Sequence, residues 1–280
     1  MTPPVDPILV RIGPLAVHWY GLLIVIGIIL GANVAAYLAR REHDDPERAS
    51  GHIWDMLLLA VAFGVIGSRI YHVISEPSVG MRGWSFYREN PLEIFYLWEG
   101  GLGVYGAIIG GALGVLLYTL IARLPPLEWL DYAAPGMAIG QSIGRWGNFI
   151  NMELYGPPTT LPWGLRILRE HRIMPYSDMA AYPPDTLFHP TFLYESLAAF
   201  GLCLLLIWIS TRYRHKLKAG DVLIGYLIGY AVIRFFTEFL RPDAWMMGRL
   251  AAAQVFALVL FFGGMLILGI RHKLIPQRNT

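Results

Sequence analysis

Residues 144–156 read Gly144-Arg145-Trp146-Gly147-Asn148-Phe149-Ile150-Asn151-Met152-Glu153-Leu154-Tyr155-Gly156, and they close a long apolar segment of the chain. An arginine at the depth of a lipid bilayer costs at least ~2.5–3.5 kcal/mol, and other ionisable side chains are also penalised there. An apolar segment that ends in such a cluster therefore predicts a polar partner for these side chains. Ionisable residues inside a membrane mark functional sites by default.

The composition places the whole chain in a membrane. Apolar residues make up 55% of the 280 residues and charged residues only 15%. About 20 consecutive apolar residues span a bilayer core. Seven such segments predict an all-α membrane protein, a bundle of seven transmembrane helices with a small periplasmic head, and we expect one polytopic membrane domain over residues 1–280. The predicted spans are roughly Leu15–Leu38, Ile53–Ile74, Gly100–Ala122, Trp129–Asn148, Pro190–Ser210, Val222–Leu240 and Leu250–Ile270.

The longest polar stretch, about residues 152–189, is interrupted by prolines that exclude a long helix there. We expect it to form a small folded cap outside the bilayer.

The orientation of the chain follows from its basic residues. All three lysines fall on one side of a seven-span arrangement, namely Lys216, Lys218 and Lys273. Because cytoplasmic loops carry an excess of basic residues, the N-terminus is predicted outside and the C-terminus in the cytoplasm.

Polar side chains converge on one membrane depth near the predicted outer ends of the spans. Long side chains can reach the interface by snorkelling, which is an alternative explanation for a single arginine. Snorkelling does not account for the short side chains in the same layer. The residues that lie at this level are His18, Tyr20, Arg69, His72, Arg145, Asn148, Asn151, Glu153, His189, Tyr194, Glu195, Arg234, Glu238 and Arg241.

The spacing of charges in the sixth predicted span favours an anion site. Arg234 and Glu238 are four residues apart and share one helix face. They could form only an internal salt bridge, or Glu238 could hold Arg234 so that its guanidinium faces an anion. Guanidinium groups bind phosphate oxygens in bidentate fashion. Since an anion with an apolar tail at this depth is a phospholipid, we expect Arg145 and Arg234 to bind a lipid phosphate.

The sequence lacks the motifs that are typical of several other kinds of chemistry. It contains no paired-histidine or multi-cysteine metal motif, no glycine-rich nucleotide loop followed by lysine, and no serine-elbow motif. We expect no metal, no cofactor and no nucleic-acid partner. The remaining chemistry is acid–base and electrostatic, on a lipid phosphate. A phospholipid transporter or flippase and a non-catalytic lipid-binding membrane protein would also explain intramembrane arginines, so these alternatives stay open.

Five segments of the chain, in order, resemble those of the prolipoprotein diacylglyceryl transferase family. The resemblance covers most of the chain. The segments are His18-Trp19-Tyr20-Gly21, the run of residues 98–106 from Trp98 to Gly106, residues 144–156, His189-Pro190-Thr191-Phe192-Leu193-Tyr194-Glu195, and the run from Arg234 to Asp243. One departure concerns Tyr105, which stands where well-known members of the family have a histidine. Another is Phe192, where glutamine is frequent.

The resemblance implies an enzyme, a transferase of the bacterial inner (plasma) membrane whose active site faces the outer leaflet. It implies transfer of the diacylglyceryl group of phosphatidylglycerol to the lipobox cysteine thiol of a preprolipoprotein signal peptide. The products would be a thioether and glycerol-1-phosphate, in the first step of lipoprotein maturation. The implied partners are phosphatidylglycerol, the preprolipoprotein and membrane lipid.

Matched positions in the family's motifs give the expected site residues. Arg145 and Arg234 resemble the arginines that handle the phosphate. The general base is left open between Glu153, which we prefer, His189, Tyr105 and water. Tyr105 is expected rather to donate a hydrogen bond to the headgroup. The expected catalytic residues are Arg145, Arg234, Glu153, Asn148 and Tyr105, and the expected phosphatidylglycerol-binding residues are Arg145, Arg234, Tyr20, Asn151, Gly156, His189 and Glu238.

Overall fold

The structure, a computed structural model, describes residues 1–4, 6–13, 15–75 and 82–274. Within these ranges most residues are helical. The α-helices are α1 (Trp19–Glu42), α2 (Pro46–Ile74), α3 (Trp84–Glu89), α4 (Val104–Ile121), α5 (Pro126–Ile150), α6 (Thr191–Arg212), α7 (Asp221–Thr237) and α8 (Ala252–Leu274). Short 3-10 turns cover Pro91–Phe95, Leu97–Glu99, Arg169–His171, Arg214–Lys216 and Glu238–Leu240.

Three small two-stranded antiparallel sheets accompany the helices in the described part of the chain. They pair β1 (Ile8–Ile12) with β2 (Leu15–His18), β3 (Leu165–Arg166) with β4 (Leu187–Phe188), and β5 (Met246–Met247) with β6 (Leu250–Ala251). The sequence analysis did not foresee any of them. Their strands are short, and the apolar residues of β2 run directly into those of α1, so hydropathy alone does not separate strand from helix.

Six helices are long and apolar enough to cross a membrane, judged by length and composition. They are α1, α2, α4, α6, α7 with its following 3-10 turn, and α8. The prediction of a helical membrane protein is therefore confirmed at this level. The fourth predicted span, Trp129–Asn148, lies inside α5. This helix is long enough to cross a bilayer, but it carries Glu128, Asp131 and Arg145 and is not among the six.

Several predicted span boundaries differ from the observed helices. The second span was predicted from Ile53, whereas α2 already begins at Pro46. Two other helix starts have a cause in the backbone. The first span was predicted from Leu15, whereas α1 begins at Trp19, because the chain first turns at Gly13 with a φ of +59° and forms β2. The third span was predicted from Gly100, whereas α4 begins at Val104. Gly100 and Gly101 have φ values of +84° and +73°, which a helix does not allow.

By its contacts the chain divides into two compact units. The second unit, Ala39–Trp129, is built on the packing of α2 against α4. A Cβ atom on Gly110 would lie 2.1 Å from the carbonyl oxygen of Phe63, and one on Gly106 would lie 2.1 Å from that of Gly67. The two backbones therefore touch, as small residues allow in membrane helices.

Arg69 in α2 is a structural residue of this second unit. It is buried, and its guanidinium donates hydrogen bonds to the carbonyl oxygens of Ile94 at 2.7 Å, Gly100 at 2.8 Å and Gly101 at 3.1 Å. These bonds fix the glycine turn that precedes α4. Snorkelling is therefore not what places this arginine.

The first unit combines Met1–Leu38 with Leu130–Thr280. Its helical core joins α5, α6 and α7 through side chains that include Ala134, Cys203, Leu206 and Tyr226. α1 approaches α5 closely, since a Cβ on Gly31 would lie 2.6 Å from the carbonyl oxygen of Gly136. Helix α5 therefore lies at the centre of this unit.

Acidic side chains anchor the start of α7. The carboxylate of Asp131, in α5, accepts hydrogen bonds from the backbone N–H groups of Gly220 at 2.6 Å and Leu223 at 2.8 Å. Asp221 contacts Arg271 Nε at 3.3 Å and His272 Nε2 at 2.7 Å, both in α8. Carboxylates at a helix N-terminus satisfy its free donors. The end of α7 opposite to Arg234 is thus tied to both α5 and α8.

Between α5 and α6 the chain forms a small folded region with its own core. The core contains Met152, Tyr155, Leu165, Ile167, Tyr176 and Phe188. Arg172 is buried in it and donates from Nη1 to the carbonyl oxygen of Tyr182 at 2.7 Å, with its guanidinium 5.1 Å from the ring centre of Phe188. Burial raises the pKa of Tyr155, whose hydroxyl accepts from the Ile173 N–H at 2.7 Å. The region between α5 and α6 is therefore folded around its own core; its place outside the bilayer stays a prediction.

The glycine contact between α2 and α4 yields a first prediction. Gly110→Ala should destabilise the protein by roughly 1–3 kcal/mol, because the new methyl group would overlap the Phe63 backbone, which cannot move as a side chain can. Thermal unfolding of the purified protein in detergent measures the effect.

Gly111→Ala is the matched control. A Cβ at Gly111 would lie 3.5 Å from the Ala60 carbonyl oxygen, which is an ordinary contact. This variant should retain or slightly exceed the stability of the wild type, since alanine favours helix. Equal stability of the two variants would contradict the close approach of α2 and α4.

Candidate functional site

Arg145 lies in the last two turns of α5 and is paired across the helix interface. Its Nε atom forms an ion pair with Oε2 of Glu195, in the second turn of α6. Its Nη1 donates to Oδ1 of Asn148, one turn further along α5, at 3.3 Å. The Glu195 side chain is only 5% exposed and that of Arg145 28%. Arg145 is therefore held in one orientation by two partners, with part of its guanidinium still accessible.

Arg234 is held in a similar way near the end of α7. Its Nη2 lies 2.7 Å from Oε2 of Glu238, and Nε of Arg241 lies 3.9 Å from the same oxygen. The Glu238 side chain is buried, with 4% exposure. The internal salt bridge considered from the sequence is thus present. It does not exclude an anion site, because within the described residues the other guanidinium donors of Arg234 form no hydrogen bond.

Arg145 and Arg234, from different helices, line one cavity. Its other lining residues include Glu195 and Ala199 of α6 and Tyr230 and Thr237 of α7. The cavity volume is about 20 Å³, which holds only about one water molecule. The side chains of two arginines therefore line the same small cavity, each next to a buried carboxylate. A bound headgroup would require this cavity to widen.

The end of α5 connects Arg145 to Glu153 through an amide. Nδ2 of Asn148 donates to Oε1 of Glu153 at 2.9 Å, and Nδ2 of Asn151 donates to the same oxygen at 3.3 Å. The chain reverses here because Met152 and Leu154 adopt left-handed backbone angles, with φ of +54° and +56°. Such non-glycine residues are strained, and they cluster at functional sites. The exposed Glu153 carboxylate is thereby turned back towards the helix.

Other expected site residues surround this helix end. The ring of Tyr20, at the start of α1, covers Gly147 so closely that a Cβ there would lie 1.9 Å from Tyr20 Cδ2. A Cβ on Gly156 would lie 2.9 Å from His189 Cβ and 3.1 Å from the Leu240 carbonyl oxygen. The ends of α1, α5 and α7 and the start of α6 are therefore brought together in the first unit.

His189 and Tyr105 have separate surroundings. His189 Nδ1 lies 3.1 Å from the hydroxyl of Tyr194, which also accepts a bond from Trp163 Nε1 at 3.1 Å. Tyr105 belongs to the second unit, at the start of α4, where its ring is 63% exposed and its centre lies 5.7 Å from that of Tyr71. Its accessible hydroxyl is compatible with the expected donor role.

The sequence analysis did not assign a role to Glu195 or to the serines that fix α5 against α6. Ser142 Oγ donates to the Ser196 carbonyl oxygen at 2.8 Å, and Ser196 Oγ donates to that of Ser142 at 2.9 Å. Trp146 Nε1 also reaches Ser196 Oγ at 3.2 Å. Glu195 lay in a motif already noted, but its contact with Arg145 joins residues 50 positions apart, which no local pattern reveals.

The fold and this site define a helical membrane protein with paired arginines at a cavity between its helices. The family model described as prolipoprotein diacylglyceryl transferase matches residues 7–270. The chain therefore belongs to this family, as its motifs indicated.

Individual relatives agree over nearly the whole length. A protein of Chloroflexus aggregans named phosphatidylglycerol–prolipoprotein diacylglyceryl transferase is 42% identical over 86% of this chain and 79% of its own. The protein of the same name from Synechococcus elongatus is 41% identical over 96% of this chain and 89% of its own. That of Lactobacillus acidophilus is 36% identical over 98% and 92%.

The pairing of Arg145 with Glu195 yields a second prediction. Glu195→Gln should lower the stability by roughly 1–3 kcal/mol, because a guanidinium that is mostly buried would lose its anionic partner. The change keeps the size and one oxygen acceptor, so the loss of charge is isolated. Thermal unfolding in detergent measures it.

Glu170→Gln is the control for this variant, since Glu170 is exposed in the region between α5 and α6. It should leave the unfolding temperature unchanged. If Glu195→Gln proved as stable as Glu170→Gln, the ion pair would not hold Arg145 in place.

Proposed function

We propose that the protein transfers the diacylglyceryl group of phosphatidylglycerol to the lipobox cysteine thiol of preprolipoproteins. The products are a thioether-linked prolipoprotein and glycerol-1-phosphate, in the first step of bacterial lipoprotein maturation. Membership of the transferase family supports this function. The observation that carries it in the structure is the meeting of Arg145 and Arg234 at one cavity, as a phosphodiester site requires.

The proposed setting is the bacterial inner membrane. In this setting α5 also crosses the membrane, which brings the number of spans to seven, and its polar end faces the other helices. Residues 1–280 then form one polytopic membrane domain. The N-terminus and the cap of about residues 152–189 lie on the periplasmic side, the C-terminus is cytoplasmic, and the active site faces the outer leaflet. In support, Lys218 Nζ donates to the Arg271 carbonyl oxygen and Arg271 Nη2 donates to the Ala219 carbonyl oxygen, at the end of α7 opposite to Arg234. The positive-inside rule expects such basic residues at a cytoplasmic end.

The proposed chemistry is a displacement at carbon. The cysteine sulfur attacks the glycerol carbon that bears the phosphate, a sulfur–carbon bond forms, and the carbon–oxygen bond breaks with its electron pair on the phosphate oxygen. The proton of the thiol passes to a base. Arg145 and Arg234 stabilise the charge that grows on the leaving oxygen, so they bind the transition state more strongly than the lipid.

Glu153 is the proposed base. Its carboxylate is exposed and accepts hydrogen bonds from the amides of Asn148 and Asn151. A thiol with an ordinary pKa near ~8.5 is mostly protonated at neutral pH and needs such an acceptor. Asn148 is hydrogen-bonded to both Glu153 and Arg145. One amide therefore positions the proposed base and one of the phosphate-binding arginines. His189, Tyr105 and water are the alternatives.

A transporter of phospholipid is a weaker explanation of the site. It would need polar groups on a path to the cytoplasmic ends of the helices, where Asp131 and Glu128 are the acidic candidates. Asp131 caps the N-terminus of α7, and Glu128 Oε1 lies 3.7 Å from His43 Nε2. Both carboxylates therefore have structural partners, which favours an enzyme.

One assay separates transferase, transporter and passive lipid binder. The purified full chain in detergent is incubated with phosphatidylglycerol and a lipobox peptide. The transferase gives a diacylglyceryl mass addition on the peptide cysteine together with released glycerol phosphate. Lipid binding or vesicle flipping without either product would reject the proposed function.

The arginine pair gives a third prediction. Arg145→Ala and Arg234→Ala should each lower the transfer rate by at least ~10²–10³-fold, since each removes a preplaced donor to the leaving phosphate. Both proteins should still insert into membranes. The rate of peptide modification at saturating lipid measures the effect, with membrane-fraction yield as the check on insertion.

Arg169→Gln serves as the control, because Arg169 is an exposed arginine between α5 and α6. It should retain near-normal transfer. Near-normal transfer by Arg145→Ala or Arg234→Ala would instead remove that arginine from the mechanism.

A fourth prediction distinguishes the proposed base from the headgroup donor. Glu153→Gln should lower the maximal rate strongly, and a peptide thiol of lower pKa should recover part of the loss, because it needs less help to ionise. Tyr105→Phe removes only a hydroxyl and should mainly raise KM for phosphatidylglycerol. Steady-state kinetics with two peptide thiols measures both.

Each outcome of that comparison is decisive for its residue. A Glu153→Gln enzyme with an unchanged maximal rate would shift the base to His189 or water. A Tyr105→Phe enzyme with unchanged kinetics would exclude its hydroxyl from the site.

A further inference from the structure

Hydrogen bonds join Trp163, Tyr194 and His189 in one chain where the region between α5 and α6 meets the start of α6. Trp163 Nε1 lies 3.1 Å from the Tyr194 hydroxyl oxygen, and that oxygen lies 3.1 Å from His189 Nδ1. The hydroxyl makes no other hydrogen bond within the part of the protein that the structure describes. Trp163 and Tyr194 have no role in the proposed function so far, although their chain ends on a histidine of the site.

The backbone of His189 is fixed next to the polar end of α5. Its N–H donates to a carbonyl oxygen and its own carbonyl oxygen accepts from an N–H within residues 156–157, both at 2.9 Å. Tyr194 lies in the first turn of α6, directly before Glu195, whose carboxylate holds Arg145. The start of α6 therefore positions both a phosphate-binding arginine and His189.

The chemistry of the three side chains gives the direction of these hydrogen bonds. An indole N–H is only a donor, so Trp163 donates to the Tyr194 oxygen. A phenolic hydroxyl is a better donor than acceptor, because the lone pairs of its oxygen are delocalised into the ring. When Tyr194 donates its single hydrogen to His189 Nδ1, the chain runs unbroken from donor to acceptor and each bond strengthens the next.

This direction decides where neutral His189 carries its proton. A neutral imidazole has one protonated and one unprotonated nitrogen, and the hydrogen bond at one of them selects the form. Since Nδ1 accepts from Tyr194, the proton lies on Nε2, which forms no hydrogen bond to any described residue. His189 then presents an N–H donor and has no lone pair left for the proton of a thiol.

We propose that Trp163 and Tyr194 are positioning residues that hold His189 in the Nε2-protonated form, so that it donates from Nε2 to an oxygen of the phosphatidylglycerol headgroup. This inference rests on the proposed function. The headgroup suits such a donor, because its phosphodiester and its hydroxyl groups offer acceptor oxygens. His189 moves no proton in the displacement, and Glu153 stays the proposed base.

Two substitutions of His189 separate a donor from a base. The amide of glutamine takes nearly the place of Nε2, and the amide of asparagine takes that of Nδ1. His189→Gln should therefore transfer at close to the wild-type rate. His189→Asn keeps an acceptor for Tyr194 but offers no donor at Nε2. It should raise KM for phosphatidylglycerol by ~10-fold or more, the size of one lost hydrogen bond to a charged group.

Two patterns in these kinetics would contradict the inference. If His189 were the base, both variants would lose the maximal rate alike, since neither amide takes up a proton. If both variants kept wild-type kinetics, Nε2 would make no contact with the lipid.

The protonated nitrogen can also be identified without any substrate. ¹⁵N NMR distinguishes the two ring nitrogens of histidine by their chemical shifts. The full-length protein, labelled with ¹⁵N-histidine, is measured in detergent at about pH 8, where an imidazole with the ordinary pKa of ~6.5 is neutral. His189→Gln identifies the signals of His189 by their loss. A protonated Nε2 is expected, and a protonated Nδ1 in the wild type would overturn the inference by itself.

Variants of the two positioning residues test how the form is selected. Tyr194→Phe keeps the ring and removes the hydroxyl, so the proton of His189 should be shared between its nitrogens and KM for phosphatidylglycerol should rise. Trp163→Phe leaves the hydroxyl oxygen open to accept from Nδ1, so part of His189 should shift to the Nδ1-protonated form. An unchanged His189 spectrum in Tyr194→Phe would contradict the positioning role.

Tyr213→Phe is the matched control. Tyr213 is a partly buried tyrosine at the opposite end of α6. Its ring centre lies 5.7 Å from the guanidinium carbon of Arg212, a contact that phenylalanine keeps. This variant should leave both the His189 signals and KM for phosphatidylglycerol unchanged.

Failure of the inference differs from failure of the proposed function. A wild-type protein that lipidates the peptide but carries the His189 proton on Nδ1 removes only the inference. A wild-type protein that releases no glycerol phosphate from lipid and peptide removes the proposed function, whichever nitrogen of His189 is protonated.

Discussion

The site depends on the pairing of arginines with buried carboxylates on neighbouring helices. An unpaired guanidinium in a low-dielectric interior is strongly unfavourable, and the same is true of a lone carboxylate. Glu195 and Glu238 offset this penalty for Arg145 and Arg234 without neutralising every donor. Each arginine is thereby held rigidly while it keeps N–H groups for a ligand. The remaining architecture of the first unit serves to bring these two pairs to one cavity.

The helix contacts explain how that position is maintained. Reciprocal serine bonds and Trp146 fix α5 to α6, glycines allow α1 to touch α5, and Asp131 anchors the start of α7. In a bilayer there is no hydrophobic force between helices, so close packing and interhelical hydrogen bonds provide the association. The second unit is held together in the same way. Glycines allow α2 and α4 to pack closely, and the guanidinium of Arg69 donates hydrogen bonds to backbone carbonyl oxygens near the start of α4.

Much of this could be predicted from sequence because hydropathy and helical spacing are local signals. The apolar segments matched helices, and the spacing of Arg234 and Glu238 predicted their salt bridge. The convergence of Arg145 and Arg234 was inferred from their common depth and from the family motifs. What escaped prediction depends on distant or short elements. The Glu195 contact joins two helices, Arg172 is satisfied by backbone carbonyls within a proline-rich region, and the two-stranded sheets contain too few residues for a periodic pattern.

The anchoring of the helices has a mechanical consequence for this cavity. The cavity lined by the two arginines has a volume of about 20 Å³, so any ligand larger than a water molecule requires one of its walls to move. α5 and α6 are joined by mutual serine bonds close to the site and cannot easily separate there. α7 is tied at its far end through Asp131 and the contacts of Asp221, and near Arg234 through Gln254 of α8, whose Nε2 donates to the Phe235 carbonyl oxygen at 3.3 Å. Movement of the wall that carries Arg234 would therefore have to break the neutral Gln254 bond, whereas the charged contacts at the far end of α7 could persist.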